Sequence, residues 1–176
     1  MSNLIELRQY LFGKSQEYKL KFPRKIFGYA GLIPTDENFS RYVDTPVNTT
    51  IFAHTGGDGC HFSHLNLNQN VDLFILTVPM LRSNNPRDSN IILSCNFDNF
   101  LSLGYNNGWF GLEQILYGDF EIMNIQDDDP YFLESLDYLL VKEMRSDFKI
   151  NSILFSKDYF ESLQNMYFDY LDFKLS

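Results

Sequence analysis

Cysteine is scarce in this sequence. Only Cys60 and Cys95 occur among 176 residues, far apart and outside any Cys-x-x-Cys or zinc-type spacing, which excludes a disulfide framework and a structural zinc finger. Free thiols in a reducing compartment are expected. Basic residues are also few, 14 Lys+Arg against 23 Asp+Glu for a net charge of −9, and this excludes a general nucleic-acid binder or a binder of anionic membranes. Nowhere do about 18 apolar residues run together, the length that a spanning helix requires. The opening MSNLIELRQYLFGKSQEYKL lacks the apolar stretch of a secretory signal. A cytoplasmic, soluble protein is the expectation.

What the chain does have is core material and rings. Hydrophobic residues reach 44% against 21% charged, well above the sparse composition of a disordered chain, and 176 residues suffice for one domain without a covalent staple. The reading is a single domain over 1–176. The 17 Phe and 11 Tyr exceed what a core of this size needs, and the tyrosines in particular suggest a binding surface where ring and hydroxyl both contribute. Charge is uneven along the sequence. Residues 1 to 30 hold six basic and two acidic side chains, whereas Glu113 to Asp147 holds ten acids and two bases, among them Asp127, Asp128 and Asp129.

The local patterns predict strands first and helices after. Leu4, Leu7 and Leu11 stand at helical spacing over residues 3 to 12, with Gly13 as the stop. Residues 14 to 46, broken by Pro23, Pro34 and Pro46, read as loops and extended pieces. Val47–His54 and Cys60–Leu67 flank the turn sequence Thr55-Gly56-Gly57-Asp58-Gly59 and predict a hairpin. Leu73–Met80 is a short continuous apolar run, the candidate central strand buried on both faces, and Ile91–Cys95 follows it. Asn96 caps a predicted helix, Trp109–Tyr117 forms a second closed by Gly118, Pro130 opens a third, and Ser156–Leu171 makes a fourth. The expected fold is α+β, a mainly antiparallel or mixed sheet over about 47–95 packed by helices from the C-terminal half.

All three histidines lie within His54–His64. His61 and His64 are an odd number of residues apart, so a strand points them to opposite faces and they cannot share a metal. A cross-hairpin set of His54, Asp58 and His61 is sterically conceivable and is the basis of one alternative, a metal-dependent enzyme. Cys60 adjoins His61, but neighbours on a strand face apart, which counts against a thiolate–imidazole pair. The glycine loop lacks the Lys-Ser/Thr ending of a phosphate cradle, and Asp58 would repel an anion; its glycines read as a tight turn with Asp58 as its cap. Glu113 alone does not make a hydrolase, which needs a second carboxylate at a set distance. Trp109 and Phe110 either pack in the core or form an exposed aromatic anchor. The sequence therefore predicts no catalytic residues, no cofactor and no metal.

The run FAHTGGDGCHFSHL (52–65), the strand ending TVPM (77–80), NIILSCNFDNFLSLGY (90–105) and NGWFGLEQILYGDFE (107–121) resemble a group of bacterial proteins with a Gly-Asp-Gly hairpin and a Leu-Glu-Gln helix. That layout is similar to the SUKH superfamily, and the resemblance covers about residues 50–121. It implies a non-enzymatic α+β immunity protein that neutralises a polymorphic toxin, with Gly56, Gly57, Asp58, Gly59 and His61 as the motif loop. Many such toxins are basic nucleases, and an acidic, ring-rich inhibitor would be steered to one. On this expectation Glu113, Glu121, Asp127, Asp128 and Asp129 face the toxin domain, with Trp109 as anchor. A small-ligand or scaffold module, with the glycine hairpin at a pocket mouth, is the second alternative.

Overall fold

Among the described residues five strands pair in sequence order to make one antiparallel sheet: β1 (Ile33–Pro34), β2 (Thr50–His54), β3 (His61–Asn68), β4 (Val71–Thr77) and β5 (Asn90–Ser94). The computed structural model describes residues 2–35, 39–68, 70–79, 85–126 and 128–173. The predicted hairpin is β2–β3, with His54 opposite His61. The apolar run forms β4, which lies inside the sheet between β3 and β5, although β3 is the middle strand of the five. Because VDLFILT lacks polar alternation, β4 feeds two cores. Phe74 and Leu76 point with Phe62 and Leu93 into the larger one, while Leu73 and Ile75 join Ile92 in the smaller.

The larger core is closed by α1 (Ser2–Lys21), α3 (Phe97–Leu103), a 3-10 helix (Phe110–Tyr117) and α5 (Leu136–Asp147), while the single-turn α2 (Pro86–Ser89) leads into β5. The smaller is covered by α6 (Lys157–Tyr167) and the segment after it, through Leu163, Phe168 and Leu171. That segment is tied back across the sheet where Val47 N–H donates to the Asp172 carbonyl at 2.7 Å and Arg87 meets Asp169 at 2.8 Å. The result is α+β, as expected, with helices of the C-terminal half on the sheet. Among the described residues no helix is long and apolar enough to cross a membrane.

Several boundaries differ from those the sequence predicts. α1 does not stop at Gly13; it runs eight residues further. An interior glycine costs only about 1 kcal/mol, and beyond it Tyr18 is buried with its hydroxyl donating to Glu143 at 2.7 Å while Lys14 pairs with Glu143 at 2.6 Å. Pro23 follows as the true stop. The predicted third helix is two: α4 (Pro130–Leu133), capped by Asp129, and α5, capped by Ser135, whose hydroxyl accepts from Tyr138 N–H. Leu136, Leu140, Val141 and Met144 make the buried face of α5, while Leu133 of α4 is exposed. Residues 14–46 also contain a left-handed turn at Tyr29, Ala30 and Gly31. The Asp137 carboxylate holds it by accepting from Gly28 N–H at 2.9 Å and Ala30 N–H at 2.8 Å.

The free edge of β5 is closed by a side chain. Gln164 of α6 accepts from Ile92 N–H at 3.2 Å and donates to the Ile92 carbonyl at 3.0 Å, doing with one amide what another strand would do. Gln164→Leu leaves both backbone groups without that partner. The expected result is a loss of about 2 kcal/mol by urea unfolding together with larger species on size exclusion; an unchanged midpoint and a single monodisperse peak would contradict it.

Candidate functional site

The glycine hairpin is a tight, internally bonded loop. Thr55 N–H donates to the Cys60 carbonyl at 3.0 Å and Cys60 N–H to the Gly57 carbonyl at 2.9 Å. The side-chain cap comes from Thr55, whose hydroxyl oxygen accepts from Gly57 N–H, whereas the sequence reading gives that task to Asp58. Asp58 stands exposed with φ +43°. Gly59, at φ +77°, has a further constraint, since the Tyr42 ring occupies the space a Cβ would take.

His61 pegs this loop to the segment before β2. Its Nδ1–H donates to the Gly59 carbonyl at 2.7 Å, its Nε2 accepts from the Thr45 hydroxyl at 3.0 Å, and its ring stacks on Tyr42 and lies beside Phe39. The residue is 0% exposed, and burial pushes the imidazole pKa down to about 4, so it is neutral near pH 7. His64 points to the other face, as the odd spacing requires, where its Nε2 lies 3.1 Å from the Asp72 carboxylate. Among the described residues no three His, Cys, Asp or Glu side chains converge on one point. With both His61 nitrogens committed to the fold, His54, Asp58 and His61 do not make a ligand set. Burial, with Glu113 and Asp58 adding to it, pushes the Cys60 thiol up to about 11, so it stays protonated and packs as a core residue.

Those electrostatic neighbours reveal a proximity that the sequence hides. Glu113 of the 3-10 helix stands within reach of Asp58 and Cys60, so the Leu-Glu-Gln and Gly-Gly-Asp-Gly motifs adjoin in space. Burial raises the Glu113 pKa, and the nearby Asp58 charge pushes it the same way. Glu113 is only partly exposed.

Trp109 requires a correction. It is 0% exposed, its indole N–H donates to the Phe100 carbonyl at 3.2 Å, and its ring lies flush against Gly104. It is a core residue and cannot anchor a partner. Exposed rings occur nearby instead: Phe110 and Tyr117 on the 3-10 helix and Tyr131, 89% exposed, on α4. Glu121, Asp128 and Asp129 are exposed as expected, while Asp127 lies outside the described residues.

The segment carrying these acids has little regular structure but is well held. Asn107 donates to the carbonyls of Ile122 and Ile125, Asn106 to that of Met123 at 2.7 Å, and Asn124 to that of Phe155 at 2.7 Å. A groove of about 250 Å³ lined by Phe110, Ile122, Met123 and Phe132 joins the 3-10 helix, this segment and α4 into one surface. Nothing local in the sequence separates these exposed rings from the buried Trp109, which also stands at a helix start. No protein-family model, curated protein or solved structure matches this chain.

Proposed function

We propose that this chain is a non-enzymatic, SUKH-like immunity protein that binds a basic toxin domain, such as a nuclease, through the surface made by the 3-10 helix, the acidic segment and α4. The observation that carries the reading is that the rings of Phe110, Tyr117 and Tyr131 and the carboxylates of Asp119, Glu121, Asp128 and Asp129 are all exposed and interleave along residues 110–131. Carboxylates on such a surface attract a cationic partner over about a Debye length and set the rate of encounter, while desolvated rings supply the holding energy. Inhibition then requires no chemistry from this protein, because its carboxylates occupy the place of substrate phosphates.

Phe110, Tyr117 and Tyr131 take the anchoring role in place of Trp109. Tyr131→Ala removes a ring that is almost wholly exposed, so stability is expected to change by less than about 0.5 kcal/mol. Affinity for the toxin domain encoded beside this gene is expected to fall by roughly tenfold or more, the loss typical of an aromatic hot spot. Urea unfolding checks the first half and titration calorimetry against that domain the second. Unchanged affinity of Tyr131→Ala, Tyr117→Ala and Phe110→Ala alike would remove the ring part of the proposal, and failure of the wild type to bind would remove all of it.

A further inference from the structure

An apolar cavity of about 250 Å³ lies away from the acidic surface, between the first half of α1 and β2. Its walls are Leu7 and Leu11 of α1, Pro34 of β1 with Leu32 just before that strand, and Phe52 and Ala53 of β2. These come from three separate elements that pack together only in the folded protein. None of residues 55–60 lines it, so the glycine hairpin is not its mouth.

Two ionisable groups reach the lining, and they differ in availability. His64 is 8% exposed and its Nε2 is already engaged with Asp72 at 3.1 Å. Arg8 is exposed, one helical turn from Leu4 and Leu11, with its guanidinium resting 5.6 Å from the Phe12 ring centroid. Among the described residues no carboxylate is part of the lining. The wall is therefore apolar with a single solvent-facing cation, whose planar fork matches a carboxylate in two parallel hydrogen bonds. A volume of this order lies near the lower end of small-molecule sites, room for a chain or a ring system but not for a macromolecular segment.

We propose that this cavity binds a medium-chain carboxylate, with the acyl chain between α1 and β2 and the carboxylate on Arg8. The site is distinct from the partner surface, and neither proposal rests on the other. Binding of decanoate to the full chain by titration calorimetry is the test, with decanol as the uncharged control and two variants. Arg8→Gln removes the cation from an exposed helix position. Ile5→Trp places a large ring at the cavity wall from a residue that is 56% exposed, so neither change disturbs the core.

Decanoate is expected to bind one per chain and at least roughly tenfold more tightly than decanol, the scale of one charge-assisted pair. Arg8→Gln should bring the two ligands level, and Ile5→Trp should weaken both. No saturable decanoate binding, equal affinity for decanol, or full binding by Ile5→Trp with unchanged circular dichroism would overturn the assignment. A protein that binds its toxin but not decanoate would contradict this inference and leave the proposed function standing.

Discussion

Trp109→Ala is expected to lower the stability of this domain by about 4 kcal/mol, within the range measured when a buried Phe or Trp is truncated. The indole is 0% exposed, with its N–H bonded to the Phe100 carbonyl and its face against Gly104. Its own backbone N–H donates to the Ala30 carbonyl at 2.7 Å, which ties the left-handed turn at residues 29–31 to the start of the 3-10 helix. The substitution removes the ring but not the backbone tie, so the loss comes from the cavity and the orphaned Phe100 carbonyl. Domains of this size have about 5–15 kcal/mol in total, so much of the margin would go. The urea midpoint followed by circular dichroism should fall by roughly 2 M. A midpoint within experimental error of the wild type would show that Trp109 is not the core residue described here.

The second large effect is on pH dependence. Burial holds His61 at about 4 in the folded protein, while the unfolded chain titrates near the ordinary 6.5. The folded-state pKa is depressed, so the unfolded state takes up the proton first as the pH falls. Full stability is therefore present above about pH 6.5 and is lost as the pH drops toward 4, by about 3 kcal/mol for this residue. His64, lowered chiefly by burial as well, adds in the same direction. Asp72, whose pKa is held below the ordinary carboxylate value, with Asn66 and His64 bonding to its charged form, loses its contribution only at more acid pH. Urea unfolding at steps between about pH 7 and about pH 4.5 should show a falling midpoint. His61→Asn, which can still donate to the Gly59 carbonyl, should flatten part of that slope; an identical slope in both proteins would contradict the assignment.

The β half of the fold was legible because its signals are local. β-Branched and aromatic residues on either side of Thr55–Gly59 set the hairpin, and the unbroken Leu73–Thr77 run has only one structure that buries both of its faces. The cap at Asn96 was legible for the same reason: its side-chain oxygen accepts from the Asn99 N–H at 2.8 Å. The end of α1 was not, because what carries the helix past Gly13 is Glu143, over a hundred residues distant. The break between α4 and α5 was hidden by apolar residues that continue across it.

In the candidate site, residue type revealed which side chains suit a binding surface but not which way they face. Trp109 and Tyr131 are both rings near helix starts, one fully buried and the other almost wholly exposed. The odd spacing of His61 and His64 separated them correctly, since strand geometry alone decides it. The electrostatic influence of Asp58 on Glu113 depends on where the fold puts the 3-10 helix relative to the hairpin, a tertiary fact with no local trace.

The central claim is that the carboxylates of the acidic segment steer a basic partner onto the surface bearing Phe110, Tyr117 and Tyr131. The most direct measurement is the association rate with the proposed basic toxin domain, sought among the genes adjoining this one, across salt from about 0.05 M to about 0.5 M, for the wild type and for Glu121→Lys/Asp128→Lys/Asp129→Lys. The account predicts a wild-type rate that falls steeply with salt and a triple variant that is slow at low salt and nearly insensitive to it. Equal rates for the two proteins at every salt concentration, or no association at all, would contradict it.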